Sequence, residues 1–260
     1  MSRSAGLLAL IVLLVSGAAE PAAAIHIPPT PANVLELEGS SRIFLDLGDF
    51  DPVLDLTGRF EGTNFSFRHR ALTLGGYYRL RRNVKVGLFY RLQAGARHDD
   101  DWVLLDNGDW EWQDTRSRLE QVLVADLTPR FLLPFLPGQD WVLAVKGRYF
   151  FNTFNGHQVL LLRPQLSYFW LRRRQPVLTV SAAYGMYGAL NFSDQFVYRQ
   201  VPYLDVLYHL GDAVKLSLGV SRRQLHWSSS ADIARAGEPD YSVDQSSWMM
   251  RSAVILQLDL

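Results

Sequence analysis

The sequence predicts an all-β fold, a transmembrane antiparallel up-and-down β-barrel of about ten strands, with twelve as an alternative. Three observations carry this prediction. Apolar and polar residues alternate over long segments, several apolar rows end in Tyr or Trp, and short connectors alternate with longer ones. A period of two indicates strands with two unlike faces, and a sheet that crosses a bilayer must close to satisfy its backbone groups.

The segment 83–97 (NVKVGLFYRLQAGAR) shows the alternation clearly. Leu88 and Tyr90 stand in its apolar row, whereas Lys85 and Arg91 stand in the polar row. The segment is about twice as long as a common soluble strand of roughly five to six residues. We therefore expect its apolar row to face lipid and its polar row to face the barrel interior.

The same alternation returns along the chain and places the other strands. Aromatic rings at the ends of apolar rows, such as Tyr78 and Trp170, suit a membrane–water boundary. The region 32–63 could hold a further hairpin, which gives the alternative of twelve strands. A ten-stranded barrel would have both ends on the periplasmic side. The predicted strands are 42–49, 64–80, 83–97, 116–128, 141–152, 158–171, 177–190, 196–210, 213–226 and 246–260.

The connectors predict which end of the barrel is external. Short connectors at 81–83, 172–176 and 211–212 alternate with longer or more polar ones. Short periplasmic turns and longer external loops are typical of such barrels. The connector 129–140 is an exception because it is long and apolar, so it either contains strand ends or lies against the membrane surface.

The N-terminal segment has the layout of a secretory signal. Arg3 precedes an apolar run at 7–15, and the small residues at 22–24 suit cleavage after Ala24. An uncleaved anchor is the alternative. The expected organisation is a signal peptide over 1–24, a periplasmic segment over 25–41 and the barrel over 42–260.

Composition excludes several functions. The 26 basic and 26 acidic residues balance, which argues against a nucleic-acid partner. The chain has no cysteine, so disulfides, lipidation and zinc–thiolate sites are excluded, and we expect no cofactor and no metal.

The run 99–101 of aspartates lacks the spacing of an EF-hand and is interpreted as a solvated loop. His98, Asp99 and Asp101 could belong to an outer-membrane protease site at the external rim, but the sequence has no matching Asp-x-His motif to complete it across the barrel.

The polar rows predict the lining of the barrel interior. Eleven basic candidates face four acidic ones, and such a lining would favour anions in an open pore. The alternative is a plug, because a narrow barrel can be filled by its own side chains. The predicted lining residues are Lys85, Arg91, Arg97, Arg118, Glu120, Asp126, Lys146, Arg148, Arg163, Arg199, Asp205, Lys215, Arg223, Arg251 and Asp259.

The C-terminal segment resembles the last strand of Gram-negative outer-membrane β-barrels. Its sequence is MRSAVILQLDL, although the class usually ends in Phe or Trp and this chain ends in Leu260. The resemblance implies a location in the bacterial outer membrane, with the barrel assembly machinery and periplasmic chaperones as partners during folding. The expected function is a small porin-like channel or a plugged structural barrel.

One short motif suggests an enzyme as the alternative. His226 and Ser228, with Asp240 twelve residues later, resemble the His-x-Ser motif of outer-membrane phospholipase A and lipid A deacylase barrels. In those families the serine attacks an ester and the histidine is its base. Ser229 stands where those families would have Asn, and Asp240 lies in a polar loop, so an ordinary strand end is the competing interpretation.

Three arginines continue the outward rows at the predicted external ends of strands. They are Arg68, Arg70 and Arg222. Guanidinium groups among acyl chains would be costly, but at headgroup height they suit the phosphates of lipopolysaccharide. The sequence therefore predicts contact with outer-membrane lipid and lipopolysaccharide, or strands that project into water beyond the membrane.

Overall fold

The computed structural model describes residues 33–61, 66–95, 102–104, 110–112, 118–137, 140–154, 156–191, 193, 196–228 and 242–259. These residues form β-strands with turns and short irregular segments between them. None of them belongs to a helix that is long and apolar enough to span a membrane.

Among the described residues, eleven strands close into one barrel, and two further short strands pair with each other. The closed all-β barrel confirms the predicted fold class, and its strand number lies between the two predicted values. The strands are β1 (Asn33–Asp46), β2 (Phe50–Glu61), β3 (Ser66–Arg81), β4 (Val84–Ala94), β5 (Trp102–Leu104), β6 (Trp110–Trp112), β7 (Glu120–Leu132), β8 (Trp141–Asn152), β9 (Gln158–Arg172), β10 (Gln175–Ala189), β11 (Val197–His209), β12 (Val214–Ser228) and β13 (Ser242–Asp259).

The first two strands differ from the sequence prediction. A single strand was expected at 42–49, but β1 begins at Asn33 and β2 follows after the turn at 47–49. Residues 33–41, expected to precede the barrel, form the first part of β1. The apolar row of β1 is interrupted by Gly39 and Ser41, which weakens the alternation that marks the other strands.

The barrel closes through a parallel pair. β1 runs antiparallel to β2 and parallel to β13, with Asn33 opposite Ser246 and Asp46 opposite Asp259. An up-and-down barrel with an odd number of strands must contain one parallel pair. The start of β1 and the end of β13 therefore lie at opposite ends of the barrel, so the expectation of both ends on one side is wrong.

The connectors separate into two groups at the two ends of the barrel. The turn end carries 47–49, 82–83, 133–140, 173–174 and 210–213, and the loop end carries the remaining connections. The connector expected at 129–140 does contain a strand end, since β7 continues to Leu132. Phe135 is 77% exposed in the turn that follows.

The strands have two unlike faces. In β4, Leu88 is 73% exposed on the barrel exterior, whereas Phe89 is 8% exposed and points inside. Trp170 and Tyr208 lie on either side of Leu178 in the sheet, so exposed aromatic rings stand side by side near the turn end. The exterior is thus apolar, with aromatic residues toward its edge.

Part of the interior is a packed apolar cluster. Val53, Phe89, Val122 and Val124 form its buried core, and Phe44, Tyr77 and Phe150 pack against them. The rings of Tyr77 and Phe89 meet edge to face with centroids 4.9 Å apart. This cluster lies on the β1–β8 side of the barrel. A smaller buried cluster on the β9–β12 side consists of Ala189, Tyr198 and Leu225, with Val159 and Tyr187 packed against it.

Candidate functional site in the barrel interior

Ion pairs close the interior near the turn end. Lys85 of β4 pairs with Asp51 of β2, and Arg79 lies 3.9 Å from the same carboxylate. Arg42 of β1 pairs with Asp55 of β2. Each pair joins neighbouring or next-neighbouring strands, because alternate residues of each strand point into the same narrow space.

A buried carboxylate lies at mid-height on β7. The side chain of Asp126 has no exposed surface, and it accepts a charge-assisted bond from Arg148 at 2.7 Å. Lys146 lies 3.5 Å from the same oxygen, and Thr128 donates to the other oxygen at 2.7 Å. One carboxylate therefore faces two cations, which leaves local positive charge.

A second ion-pair network lies toward the loop end, beside the β1–β13 pair. Glu36 is fully buried and pairs with Arg223 of β12 and, at 3.4 Å, with Arg59 of β2. Arg59 also binds Glu38 at 2.8 Å. Because Glu36 reaches past β13 to β12, this network joins β1 and β2 to β12 across the intervening strand.

Above the packed cluster, the interior opens into a cavity of about 400 Å³. Two histidines, several aromatic rings and two glutamates, Glu38 and Glu61, contribute to its lining. Its charged residues are mostly basic: Arg59, Arg91, Lys146, Arg148, Arg163, Arg199, Arg223 and Arg251. The cavity is therefore a partly polar space inside the barrel in which positive side chains outnumber negative ones.

Tyrosine rings orient several of these cations. The guanidinium of Arg199 lies 3.6 Å from the centroid of Tyr187, and that of Arg251 lies 4.6 Å from the centroid of Tyr203. The hydroxyls of the two tyrosines are 3.1 Å apart. Cation–π contacts of this kind help to orient a guanidinium, and Arg251 is also paired with Asp205 at 2.6 Å.

Most residues predicted to line the interior lie there. The inward, buried or partly buried ones are Lys85, Arg91, Glu120, Asp126, Lys146, Arg148, Arg163, Arg199, Asp205, Lys215, Arg223 and Arg251. Arg118 is exposed just before β7, with its guanidinium 5.3 Å from the ring centroid of Phe154. Asp259 is exposed at the end of β13. Arg97 lies outside the described residues.

The sequence analysis missed the acidic interior of β1 and β2. Four carboxylates of these strands point inside: Glu36, Glu38, Asp51 and Asp55. The interior therefore holds more acidic residues than the four that were expected beside eleven basic ones. The inward row of β2 alternates regularly with Leu54 and Leu56. That alternation was the signal available for finding this strand.

The structure describes the side chains of two of the three arginines predicted to contact lipid headgroups. Arg222 is exposed on the outward face of β12, 5.8 Å from the ring centroid of Trp248, and its Nε donates to Ser246 at 3.1 Å. Arg70 lies in β3, where it is partly buried. The Arg68 side chain lies outside the described residues.

The residues of the lipid-hydrolase alternative are only partly described. His226 is exposed on β12, on the same face as Arg222, and its backbone pairs with Asp244. The Ser228 side chain and Asp240 lie outside the described residues, as do His98 and the aspartates at 99–101. Within the described ranges, no group of three or more His, Asp or Glu is placed to hold a metal ion.

Comparisons with known proteins leave the site to be judged by its geometry. No protein-family model matches the chain, and no curated protein matches it.

Proposed function

We propose that the protein is an integral β-barrel of the bacterial outer membrane and a small porin-like channel that prefers anions. The observation that carries this proposal is the cavity inside the barrel, whose charged lining residues are mostly arginine and lysine. A cationic lining lowers the energy of an anion in a confined space and raises that of a cation.

The exterior supports the membrane part of the proposal. Large apolar side chains such as Leu88 and Leu218 are exposed around a closed sheet, which has no free edge to satisfy. In water such a surface would be an aggregation liability. In this proposal the N-terminal signal exports the chain, and periplasmic chaperones and the barrel assembly machinery bring it into the membrane.

Planar-bilayer recording of the refolded protein tests the channel. We expect discrete conductance steps and a reversal potential that favours chloride over potassium in a salt gradient. Arg91→Glu, which reverses a charge of the cavity lining, should reduce this preference. Arg222→Gln changes an outward arginine and should leave it unchanged. Electrical silence of protein shown to be inserted would instead indicate a plugged structural barrel, which the interior ion pairs and apolar cluster would explain.

We also propose that the three arginines predicted to continue the outward rows bind anionic lipid of the outer leaflet. The placement of Arg222 beside an exposed tryptophan supports this, because both side chains suit the depth of the headgroups. Replacing Arg68, Arg70 and Arg222 with Gln should reduce the lipopolysaccharide that copurifies with the barrel. Unchanged copurification would favour strands that project into water.

A further inference from the structure

The wall between β8 and β9 holds like charges face to face. Lys146 of β8 lies directly opposite Arg163 of β9 in the sheet register. Arg148 follows on the same face of β8, two residues beyond Lys146. All three side chains line the cavity. Like charges directly opposite on neighbouring strands destabilise a sheet.

The surrounding protein offsets this charge incompletely. Asp126 is in ion-pair contact with Lys146 and Arg148, at 3.5 and 2.7 Å. Within the described part of the chain, Arg163 has no carboxylate in ion-pair contact, and its buried Nε has no hydrogen-bond partner. Its guanidinium instead faces the ring of Tyr203, 5.6 Å from the centroid. A confined cation with an unused donor costs free energy that a bound anion would recover.

We propose that Lys146 and Arg163 form a binding site for a small oxyanion of the phosphate or carboxylate class. A guanidinium presents donors in a planar fork that matches these anions, and the neighbouring ammonium adds a second charge. Tyr187 and Tyr203 line the same cavity, and whichever of their paired hydroxyls accepts the bond between them can donate its own hydrogen to the anion. The cavity of about 400 Å³ accommodates such an anion with its water.

This inference rests on the proposed channel function and extends it, because it names a class of anions that the cavity would bind as well as conduct. A halide would experience the positive potential alone. An oxyanion would also satisfy the donor that the fold leaves unused, so it should bind in a saturable way.

Calorimetry on the full-length barrel, folded in a zwitterionic detergent, tests the site without requiring conduction. Inorganic phosphate and acetate are titrated at constant ionic strength, with chloride as the comparison ion. We expect saturable binding of phosphate, of acetate or of both, and the stronger heat identifies the anion class. Arg163→Gln should weaken it by about tenfold or more, because charged hydrogen bonds are lost. Lys215→Gln, which removes an inward cation that donates to Gln257 outside this cavity, should leave it unchanged.

Thermal unfolding provides a second test, in which Arg163→Gln should stabilise the anion-free barrel although it weakens anion binding. Without oxyanions, Arg163→Gln should raise the unfolding temperature, because it removes half of a repulsive pair. With phosphate, the wild-type barrel should gain stability that the variant does not gain. If Arg163→Gln fails to fold, Lys146→Gln tests the same pair.

Two results would overturn the site. The first is heat of dilution only, for both oxyanions. The second is oxyanion binding that Arg163→Gln or Lys146→Gln leaves unaltered. Chloride conduction without saturable oxyanion binding would contradict the binding site but support the channel. Saturable oxyanion binding in a barrel that does not conduct would contradict the channel but support the binding site.

Discussion

Adjacent residues of β4 meet opposite surroundings. Leu88 is exposed on the exterior, and Phe89 is packed among Tyr77, Val124 and the other members of the interior cluster. The alternation of the sequence was sufficient to predict which of the two faces outward. It could not predict that Phe89 is packed against a partner, because that contact depends on neighbouring strands.

Arg at an outward mid-strand position tests whether lipid surrounds the barrel. We expect Leu88→Arg to lower the free energy of unfolding by roughly 2–4 kcal/mol in lipid vesicles. Leu119→Arg is the control, because Leu119 is an exposed leucine outside the strands. Denaturant titration in vesicles measures both. Equal and small losses would mean that the exterior at Leu88 faces water. Phe89→Arg should also be costly, because it disrupts the packed cluster.

A close approach of two strands requires a glycine in β3. A Cβ added to Gly75 would lie 2.2 Å from the backbone oxygen of Leu88, so Gly75→Ala forces the strands apart. We expect a loss of about 1–3 kcal/mol, the usual cost of overpacking. At Gly39 of β1 the nearest atom to an added Cβ is 4.0 Å away, and Gly39→Ala should be tolerated. Refolding yield and unfolding midpoints of both variants provide the comparison.

The interior contacts could be predicted only in part. The inward rows of β3, β4 and β7 to β13 were evident from the sequence, so Asp126, Arg148 and Lys146 were all expected inside. The pairing of Asp126 with Arg148 depends on strand register, and the two residues face each other in the sheet although 22 positions separate them. Strand register depends on contacts between distant parts of the chain, so it could not be read from the sequence alone.

At the scale of elements, β1 is the strand that completes the barrel. It binds β2 on one side and β13 on the other, and its buried Glu36 reaches Arg223 of β12. The sequence prediction missed its extent because Gly39 and Ser41 interrupt the outward row. Pro52 and Gly58 do the same in β2. Small residues and proline are normally signs of a turn, and here the paired neighbours override that preference.

Cross-linking can test the parallel register of β1 and β13. Ser41 lies opposite Val254, and both side chains are exposed on the same face. Adjacent strands are about 4.8 Å apart. Because the chain has no cysteine, Ser41→Cys with Val254→Cys gives an unambiguous pair. We expect a short thiol cross-linker to join it in the folded barrel.

The control pair is Ser41→Cys with Leu258→Cys. Leu258 is opposite Leu45, which places it roughly 13 Å along the strand from Val254. Mass spectrometry after cross-linking should find little product for this pair. Efficient product for the control, or none for the first pair, would contradict the observed register.

The described interior of the molecule is packed toward the turn end and holds its cavity toward the loop end. The turn end is closed by short connectors and by ion pairs such as Lys85–Asp51, whereas the cavity lies toward the long connections of the loop end. The sequence predicted the distribution of the connectors. It did not reveal the cavity, whose volume is what the side chains of many strands leave unfilled.

Cysteine labelling on intact cells tests how the molecule is oriented. Thr153→Cys places a thiol in an exposed connection of the loop end, and Arg82→Cys places one in a turn of the turn end. If the long connections are external, a membrane-impermeant maleimide should label Thr153→Cys alone. Both should react once the outer membrane is permeabilised. Labelling of Arg82→Cys alone in intact cells would indicate the reverse orientation.

The odd number of strands also has a consequence for the time course of folding. The closing pair joins Asn33 to Ser246, residues 213 positions apart (246 minus 33), whereas the other pairs of the barrel join strands that are consecutive or separated only by the β5–β6 hairpin. Local hairpins need little loop closure, but this last joint must wait for both chain ends and carries the largest entropic cost. Its hydrogen bonds are also of the slanted, slightly weaker parallel kind. Closure should therefore be the slow step in folding, and the same joint should be the first to part when the barrel unfolds.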